Sequence, residues 1–198
     1  MAKELLGLED SFQEISSLPI AKYVLIPKNA DISKFQSKIE SLGFPIWIKL
    51  DSGEHKTKIK AIEQCCNFEQ VEKVHKSLKK RFPDKRFIVQ ESISGAEIIA
   101  GINLDKVFGK TLLIGSGGSL AETIKDISFR VCPVDKTEIL SALQELKIFP
   151  VLKEKNYNIN KLVDLIKKFS DLKIEEADLN PIIVNEKSAV VVDSRVRI

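Results

Sequence analysis

The segment EEADLNPIIVNEKSAVVVDSRVRI, residues 175–198, contains two apolar runs separated by a short polar stretch. This pattern predicts two antiparallel strands joined by a tight turn. If the turn is Glu186-Lys187, the register places Asn180 opposite Asp193. Directly opposed residues of such a pair have Cβ atoms about 4.5–5.5 Å apart. An amide oxygen and a carboxylate could therefore share one cation at this position.

Magnesium is the cation that this pair of oxygen ligands would fit. Mg²⁺ usually takes one or two protein ligands and completes its shell with waters and substrate phosphates. Pro181 donates no ladder hydrogen bond, so it can leave the strand locally open beside Asn180. The alternative is that Asn-Pro starts a turn and that Asp193 is a solvated strand residue. Pairing alone favours neither interpretation.

A second group of candidate residues lies in WIKLDSGEHKTKIKAI, residues 47–62. Lys49 is part of an otherwise apolar run that resembles a buried strand. Burying a lysine costs free energy unless its charge meets an anion, and a nucleotide phosphate is such an anion. The alternative is an edge-strand lysine that points to solvent, since lone lysines are usually exposed.

His55 follows Lys49 in a polar loop, the kind of segment in which reactive groups are common. An imidazole with a pKa near 6.5 is largely neutral in the cytoplasm and can act as a nucleophile toward phosphorus. Lys56, Lys58 and Lys60 could neutralise the resulting phosphoryl charge. The alternative is a solvated surface histidine. The other histidine, His75, lies beside the apolar stripe of a predicted helix, and we interpret it as structural or surface-exposed.

A glycine cluster at residues 115–118, GSGG, follows a predicted strand and precedes a predicted helix. Backbone amides in such a turn can hold a phosphate. A tight strand-to-helix turn explains the same glycines equally well. The cluster does not match a dinucleotide-binding or Walker A motif.

The composition limits the classes of function. The chain has 198 residues, of which 43% are hydrophobic and 30% charged, as in an ordinary globular protein. A net charge of +3 gives no global field that would attract nucleic acid. The apolar runs are too short for a membrane span and the first residues lack a signal core. Three cysteines without a paired spacing fit a reducing compartment, so we expect a cytoplasmic protein without zinc.

Helix-period and strand-period segments alternate irregularly along the chain. Helical stripes are predicted at residues 32–42, 68–80, 136–147 and 159–169, with strand patterns between them. This order predicts an α+β fold with mostly antiparallel sheets flanked by helices. We expect one domain over residues 1–198 with two lobes, 20–92 and 93–198, that meet near the polar stretch after the apolar run FIVQ.

Several ordered segments together resemble a known family: the ATP-grasp domain of the nucleoside-diphosphate-forming acyl-CoA synthetases, above all the β subunit of the ADP-forming acetyl-CoA synthetases. The similarity extends over residues 21–198. The matching segments are GFPIWIKL, HKT, FIVQESISGAEIIAGINLD, FGKTLLIGSGG, AETIKDISFRVCP, EADLNPIIV and VVVDSRV.

The resemblance implies an ATP-grasp fold and a role for individual residues. It implies that Lys49 contacts nucleotide phosphates, that Glu97 binds the ribose, and that His55 accepts a phosphoryl group and passes it to ADP. It implies that Asn180 and Asp193 hold Mg²⁺. The hinge that borders the adenine corresponds to four residues: Gln90, Glu91, Ser92 and Ile93.

The activity implied by the resemblance is the ATP-forming step of an ADP-forming acyl-CoA (acetate–CoA) synthetase. A separate CoA-binding α subunit would be required, because the chain has no CoA-binding fingerprint of its own. The family follows its His-Lys-Ser/Thr-Asp with Val-Gly-Gly-Val, whereas this chain has Lys60 and Ala61 in place of the glycines and Lys58 in place of the aspartate. The alternatives are a non-catalytic regulatory or scaffold subunit and another ATP-grasp ligase, such as a succinyl-CoA synthetase β subunit.

Overall fold

A computed structural model describes residues 4–53, 59–118 and 125–198. Within these ranges the strands are β1 Tyr23–Ile26, β2 Ile46–Leu50, β3 Ile62–Cys65, β4 Phe87–Glu91, β5 Ala96–Asp105, β6 Gly109–Ser116, β7 Ile127–Val131, β8 Glu176–Val184, β9 Ala189–Val191 and β10 Ser194–Arg197. The helices are α1 Leu8–Glu14, a 3-10 helix Ile32–Phe35, α2 Gln36–Glu40, α3 Phe68–Arg81, α4 Lys136–Gln144, α5 Phe149–Glu154 and α6 Ile159–Asp171.

The chain divides into two compact units. The smaller unit comprises residues 21–93 together with residues 7–9, and the larger unit comprises residues 94–198 together with most of the first 20 residues. Each unit contains one sheet, and every strand pairing in both sheets is antiparallel. The predicted α+β class with mostly antiparallel sheets is therefore confirmed.

The smaller unit has a four-stranded sheet in the order β1-β4-β2-β3. Side chains alternate across its strands, so one face is apolar and packs against α2, α3 and the 3-10 helix. The buried side chains of this face include Ile46, Ile48, Phe87 and Val89. Full burial of a side chain of this size contributes about 1.5–3 kcal/mol relative to exposure. The opposite face of the same strands presents Lys49 among its residues.

Helix α3 forms where the sequence predicts it. Asn67 caps its start, because its side chain accepts a hydrogen bond from the backbone N–H of Gln70. Val71, Val74 and Leu78 form its buried stripe, at the spacing of one helix face. Three basic residues end the helix, where positive charge interacts favourably with the helix dipole.

His75 is buried on α3, and its ring meets that of Phe87 edge-on with 5.2 Å between centroids. Burial lowers the pKa of its imidazole, and Lys79 lowers that pKa further while Asp31 opposes the change. As pH falls below about 6.5, the unfolded chain therefore binds a proton here before the folded chain does. We expect the free energy of unfolding to fall from about pH 6.5 towards the lowered pKa, with no contribution from His75 above this window.

The variant His75→Gln provides the control for this pH dependence, since glutamine does not titrate. Urea denaturation at about pH 7.5 and about pH 5 should show a larger loss of unfolding free energy in the wild type than in the variant. Equal losses in the two proteins would contradict the assignment to His75.

The larger unit has a six-stranded sheet with the path β10-β8-β5-β6-β7, and β9 also pairs with β8. One face is buried, with Ile98, Ala100 and Ile102 of β5 between Leu112 of β6 and Leu179 of β8. Helix α4 contacts β6 and β7, and α6 contacts α4 and β9. The opposite face carries polar side chains such as Asp178 of β8 and also the outward-facing apolar residues of β7.

Helices α4 and α6 start at strong caps. Asp135 and Glu138 form a reciprocal capping box at the start of α4, which satisfies two backbone donors. Asn158 caps α6 by accepting from the N–H of Lys161. In the part of the chain that the structure describes, no helix has the length and apolar character needed to cross a membrane.

Candidate functional site

The closing hairpin of the larger unit has the register expected from its sequence. The N–H of Asn185 donates to the carbonyl of Ser188 at 2.9 Å, which leaves Glu186-Lys187 as the two-residue turn. Further along, the N–H of Asn180 donates to the carbonyl of Asp193 at 3.0 Å. Asn180 is exposed and Asp193 is half-buried. The two residues proposed as metal ligands are therefore direct neighbours across the hairpin.

We call each pair of directly opposed residues in the hairpin a rung. On the face that carries Asn180 and Asp193, the two rungs before them are oppositely charged pairs. These pairs are Glu176 with Arg197, whose Oε1 and Nε are 3.1 Å apart, and Asp178 with Arg195. The formal charges of each of these pairs cancel. The next rung, Asn180 opposite Asp193, has one formal negative charge instead. An amide oxygen and a carboxylate are both ligand types that a hard divalent cation takes.

A β-bulge lies at the same rung. Between the pairs Ile98–Ile182 and Ala100–Leu179, the register of β5 against β8 shifts by one residue. The extra residue is on β8, within Asn180-Pro181. Bulges locally bend a strand and re-aim its side chains, and they are frequent beside active sites. Leu179 before the bulge and Ile182 and Val184 after it are fully buried, so the alternation of buried residues along β8 is reset at Asn180-Pro181.

No larger metal cluster accompanies this pair in the described ranges 4–53, 59–118 and 125–198. Within them, no group of three or more His, Cys, Asp or Glu side chains is arranged to hold a metal ion. An amide and a carboxylate fit a cation that takes its remaining ligands from water and phosphate, which is the usual behaviour of Mg²⁺.

Glu97 lies in β5 against the glycine cluster. The N–H of Gly117 donates to the carbonyl of Glu97 at 2.7 Å, and a Cβ on Gly117 would lie only 2.8 Å from the Cβ of Glu97. A Cβ on Gly115 would likewise lie 2.8 Å from the carbonyl oxygen of Asp126. Close packing therefore explains both glycines, and the N–H of Gly117 is already used by Glu97. The exposed carboxylate of Glu97 remains beside Gly118, 3.5 Å from the position of a Cβ there.

Lys49 of the smaller unit is buried, with only 3% of its surface exposed, so the alternative of a solvent-exposed lysine is wrong. Its Nζ donates to Oε1 of Gln90 at 2.6 Å, and Gln90 is itself fully buried. The amide of Gln90 is oriented by a second hydrogen bond, from Nε2 to the carbonyl of Ala21 at 3.4 Å. Gln90 thus holds the ammonium group on the face of the sheet opposite the apolar core.

The residues after Gln90 are fixed by their own contacts. Oε1 of Glu91 accepts from the N–H of Lys22 at 2.7 Å. Oγ of Ser92 accepts from Nε1 of Trp47 at 3.2 Å and from Nε2 of Gln64 at 3.3 Å. With both of its lone pairs engaged, the Ser92 hydroxyl has its proton left to donate. Ile93, the last residue of the predicted hinge, is half-buried.

His55 lies in residues 54–58, outside the described residues. The structure describes the chain from Ile59 onward. There, Nη1 and Nη2 of Arg81 donate to the carbonyls of Lys60 and Ile59, both at 2.8 Å. These two bonds anchor the segment that follows His55 to the end of α3.

Lys60 has a φ of 50°, in the left-handed region that glycine adopts without strain. The backbone therefore has the conformation of the glycine that the resemblance places here, although the residue is lysine. We expect Lys60→Gly to raise the free energy of unfolding by about 0.5–1 kcal/mol, because the left-handed conformation costs a non-glycine residue this much or more. Urea denaturation measures the change.

Lys38 provides the matched control, since it is an exposed lysine of α2 with no positive φ. Lys38→Gly should lower stability by up to about 1 kcal/mol, the ordinary cost of glycine in a helix. A loss of similar size in Lys60→Gly would contradict the strain assigned to Lys60.

Two residues that hold the candidate site in place, Arg81 and Trp47, were not among the residues predicted from the sequence. Arg81 belongs to a run of three basic residues at the end of α3, a composition typical of any helix end, so its separate role gives no sequence signal. Trp47 is two residues before Lys49, and strand alternation places both side chains on the same face. That spacing is the signal that could have identified Trp47.

Comparison with known proteins places these features in a family. Residues 14–198 match the family model described as "ATP-grasp domain". The chain is 31% identical to the acetate–CoA ligase (ADP-forming) I subunit beta of Pyrococcus furiosus, over 98% of this chain and 88% of that protein. The resemblance inferred from the sequence, and with it the ATP-grasp fold, is confirmed.

Two further relatives show how the same domain is used elsewhere. The acetate–CoA ligase (ADP-forming) I of Archaeoglobus fulgidus is 30% identical over 92% of this chain, which spans only 29% of that longer protein. Among solved structures, the acetyl-coenzyme A synthetase 1 of Ca. Korarchaeum cryptofilum, in complex with coenzyme A and Ca-AMPCP, has a TM-score of 0.84 at 25% identity. The match covers 98% of this chain and 93% of that chain.

Proposed function

The chain belongs to the ATP-grasp family, where its relatives include β subunits of ADP-forming acetate–CoA ligases, and on this premise we propose that it is the nucleotide-binding subunit of an ADP-forming acyl-CoA synthetase. The observation that supports the proposal most directly is the register of the closing hairpin, which places Asn180 and Asp193 directly across from each other. Such a pair suits a metal that arrives bound to phosphates.

The complete reaction converts acyl-CoA, ADP and phosphate into the free acid, ATP and CoA. The step assigned to this chain is phosphoryl transfer between phospho-His55 and ADP. The P–N bond to the imidazole breaks as a P–O bond forms to the terminal phosphate of ADP. The departing imidazole nitrogen keeps the electron pair and takes up a proton. Positioning and charge neutralisation provide most of the catalysis in such transfers.

Lys49 neutralises phosphate charge in this proposal. Its burial lowers the local dielectric, so its attraction for a phosphate is stronger than that of an exposed lysine. Gln90 keeps Nζ in place through the 2.6 Å hydrogen bond. Gln90 is a neutral amide, so this hydrogen bond positions Nζ without placing a carboxylate charge beside it.

Asn180 and Asp193 would hold Mg²⁺ through their side-chain oxygens. When bound there, Mg²⁺ would supply positive charge that offsets the charge of the phosphates during transfer. Glu97 would accept hydrogen bonds from the ribose hydroxyls, and the segment 90–93 would border the base. The Ser92 hydroxyl, with its proton left to donate, would face an acceptor atom of the base.

The two units correspond, in this proposal, to the two lobes of one ATP-grasp domain, with limits near residues 20–92 and 93–198. The partner would be a CoA-binding α subunit that delivers the phosphoryl group, and the enzyme would act in the cytoplasm. The Pyrococcus relative is named as one subunit, and the Archaeoglobus relative of the same activity is a single longer chain.

The test measures the transfer of radioactive phosphate to this chain and from it to ADP. The chain, a CoA-binding subunit from the same organism, acyl-CoA and labelled phosphate should give a labelled histidine on this chain, and added Mg-ADP should remove the label as ATP. A chain that is never labelled, although the partner subunit is labelled, would overturn the proposal.

The scaffold alternative depends on the missing glycines near residue 60. The positive φ of Lys60 and the anchoring by Arg81 argue against it, since the backbone keeps the glycine conformation without the glycine. Titration calorimetry with Mg-ADP separates the two functions. Absence of heat and of binding, with and without the partner, would favour the scaffold.

A further inference from the structure

Polar side chains of the larger unit lie in a fixed order along one face of its sheet. Glu97 of β5 lies beside the part of β8 that follows the bulge. The rung of Asn180 and Asp193 lies at the bulge, and the rung of Asp178 and Arg195 is two residues further from Glu97 on the same face. At about 3.3 Å per residue, these two rungs are about 6–7 Å apart. A nucleotide that extends from Glu97 past the first rung therefore directs its last phosphate towards Arg195.

The guanidinium group of Arg195 is held in place beside this path. Its Nη2 donates to Oδ2 of Asp178, and the arginine side chain is 26% exposed. The following rung has the same kind of pair, Arg197 with Glu176, but there the arginine side chain is 48% exposed. A guanidinium group has five donors in a planar fork, so it can bind a carboxylate and a phosphate at the same time. Asp178 thus orients Arg195 without excluding a phosphate.

Gly101 of β5 leaves an opening in the sheet face beside the rung of Arg195. It pairs with Asp178 of β8 on one side and with Leu113 of β6 on the other. Its φ is not in the left-handed region. Among the residues that the structure describes, a Cβ on Gly101 would meet only the carbonyl oxygen of Ala177, at the ordinary contact distance of 3.7 Å. Neither backbone strain nor close packing within these residues requires a glycine here.

A glycine of this kind in the middle of a strand indicates that another group approaches the backbone. Glycine weakens a strand, because it loses more conformational freedom on folding and has no side chain to pack. Gly117 differs, since a Cβ there would lie only 2.8 Å from the Cβ of Glu97. The rung of Arg197 differs too, because its neighbour on β5 is Asn103, which has a side chain. An opening beside a held arginine is therefore a feature of the Gly101 row.

We propose that Arg195 and the space over Gly101 bind the terminal phosphoryl group that is transferred, an inference that rests on the proposed function. The guanidinium group donates to the oxygens of this phosphate in charge-assisted hydrogen bonds, which are stronger than neutral ones. Leu113, half-buried on the other side of Gly101, limits the water around the group. Because negative charge is spread over the three phosphoryl oxygens during transfer, Arg195 stabilises the transfer as well as the bound triphosphate.

Titration calorimetry of the isolated chain tests the proposal with two ligands that differ by the terminal phosphate. These are Mg-ADP and the Mg complex of an ATP analogue with a methylene bridge between its last two phosphorus atoms. Arg195→Gln should weaken the analogue about 10- to 100-fold, the effect of losing a hydrogen bond to a charged group, and ADP less than about 3-fold. Arg197→Gln is the matched control, because it breaks the same kind of pair one rung further, and it should change both affinities less than about 3-fold.

A double variant separates Arg195 from its carboxylate partner. Arg195→Gln leaves Asp178 without this paired charge, and an unpaired carboxylate would itself repel a phosphate. Arg195→Gln combined with Asp178→Asn removes that repulsion. The analogue should still bind about 10- to 100-fold more weakly than it binds the wild type, since the lost donor is on Arg195. Wild-type affinity in the double variant would overturn the role of Arg195.

The space over Gly101 is tested by filling it. Gly101→Val should weaken the analogue at least about 10-fold and ADP less than about 3-fold, because the new side chain occupies the position of the terminal phosphate. Asn103→Val introduces the same side chain at the next row of β5 and should change neither affinity by more than about 3-fold. Both variants should melt no lower than the wild type, since valine favours strands, and this excludes misfolding.

The remaining outcomes distinguish this inference from the proposed function. If Arg195→Gln and Gly101→Val bind the analogue like the wild type while labelled phosphate still passes through this chain to ADP, the inference is wrong and the proposed function stands. If Arg195→Gln weakens ADP and the analogue equally, Arg195 contacts a phosphate that both ligands share, and the inference is overturned. If the wild type binds neither nucleotide, with and without the partner, the proposed function fails together with the inference.

Discussion

Replacement of His55 by alanine should abolish the labelling of this chain by phosphate and reduce ATP formation by at least about 10³-fold, because in the proposed step the phosphoryl group is carried by the imidazole of His55. The label should be acid-labile and alkali-stable, as expected for a phosphorus–nitrogen bond. Mg-ADP binding should be retained, since His55 reacts with the nucleotide and is not proposed to hold it.

His75→Gln is the matched control, because the chain has two histidines. His75 is buried against Phe87 on α3, so its replacement should leave labelling intact. Label that persists in His55→Ala and disappears in His75→Gln would reverse the assignment. Label that persists in both would place the phosphoryl group on another residue type.

Lys49→Met should lower kcat/KM for ADP by about 10²- to 10³-fold, or about 3–4 kcal/mol of transition-state stabilisation, the usual loss when one buried electrostatic contact is removed. Methionine has a similar length and no charge, so the side chain still fills its place on β2. Lys49→Arg should recover part of the activity, because it restores charge but not the shape of the ammonium group. Steady-state kinetics with saturating partner subunit measure both variants.

Stability measurements separate this effect from unfolding. Lys49→Met removes a buried charge, which is favourable, and leaves Oε1 of Gln90 without its donor, which costs about 1–3 kcal/mol. These contributions offset each other, so the free energy of unfolding should change by less than about 2 kcal/mol. Lys38→Met, on the exposed surface of α2, should change neither activity nor stability. Wild-type kinetics in Lys49→Met would disprove a role for Lys49.

The hairpin was predictable because its turn and its register are local. A two-residue turn at Glu186-Lys187 determines every pairing up to Asn180 and Asp193, and the structure has this register. Helix α3 was predictable for the same reason, since its cap and stripe are encoded within 15 consecutive residues. The β-bulge at Asn180 was not, because it depends on the pairing of β8 with β5, a distant segment.

Other elements contradict the sequence pattern or escape it. The apolar and polar pattern of residues 59–66 predicts a strand over that whole segment, but β3 is limited to Ile62–Cys65. Lys60 has a positive φ although it is not a glycine, so the sequence gives no sign of the turn there. The strand-like pattern therefore includes residues that belong to the turn before β3. Strand β7 alternates apolar and polar residues, but the alternation alone would assign its apolar residues to the core, whereas in the structure they face outward.

The burial of Lys49 also exceeds what a sequence can predict. A lysine within an apolar run is equally compatible with an edge strand, and only the sheet order β1-β4-β2-β3 makes β2 an inner strand. The acceptor Gln90 is 41 residues away along the chain and reaches Lys49 through the pairing of β2 with β4. Contacts of this range follow from topology and not from local propensity.

If Asn180 and Asp193 hold Mg²⁺ as we propose, metal and nucleotide bind this chain with reciprocal coupling. One amide and one carboxylate hold a free divalent ion weakly, so most of the coordination energy becomes available only when phosphate oxygens are present. The factor by which Mg²⁺ tightens ADP binding must equal the factor by which ADP tightens Mg²⁺ binding. Replacing Arg195 by glutamine would leave Asp178 without its paired charge beside this rung, and the two carboxylates together would attract the free ion. The coupling factor would then shrink, because the metal would no longer depend on the nucleotide for its place.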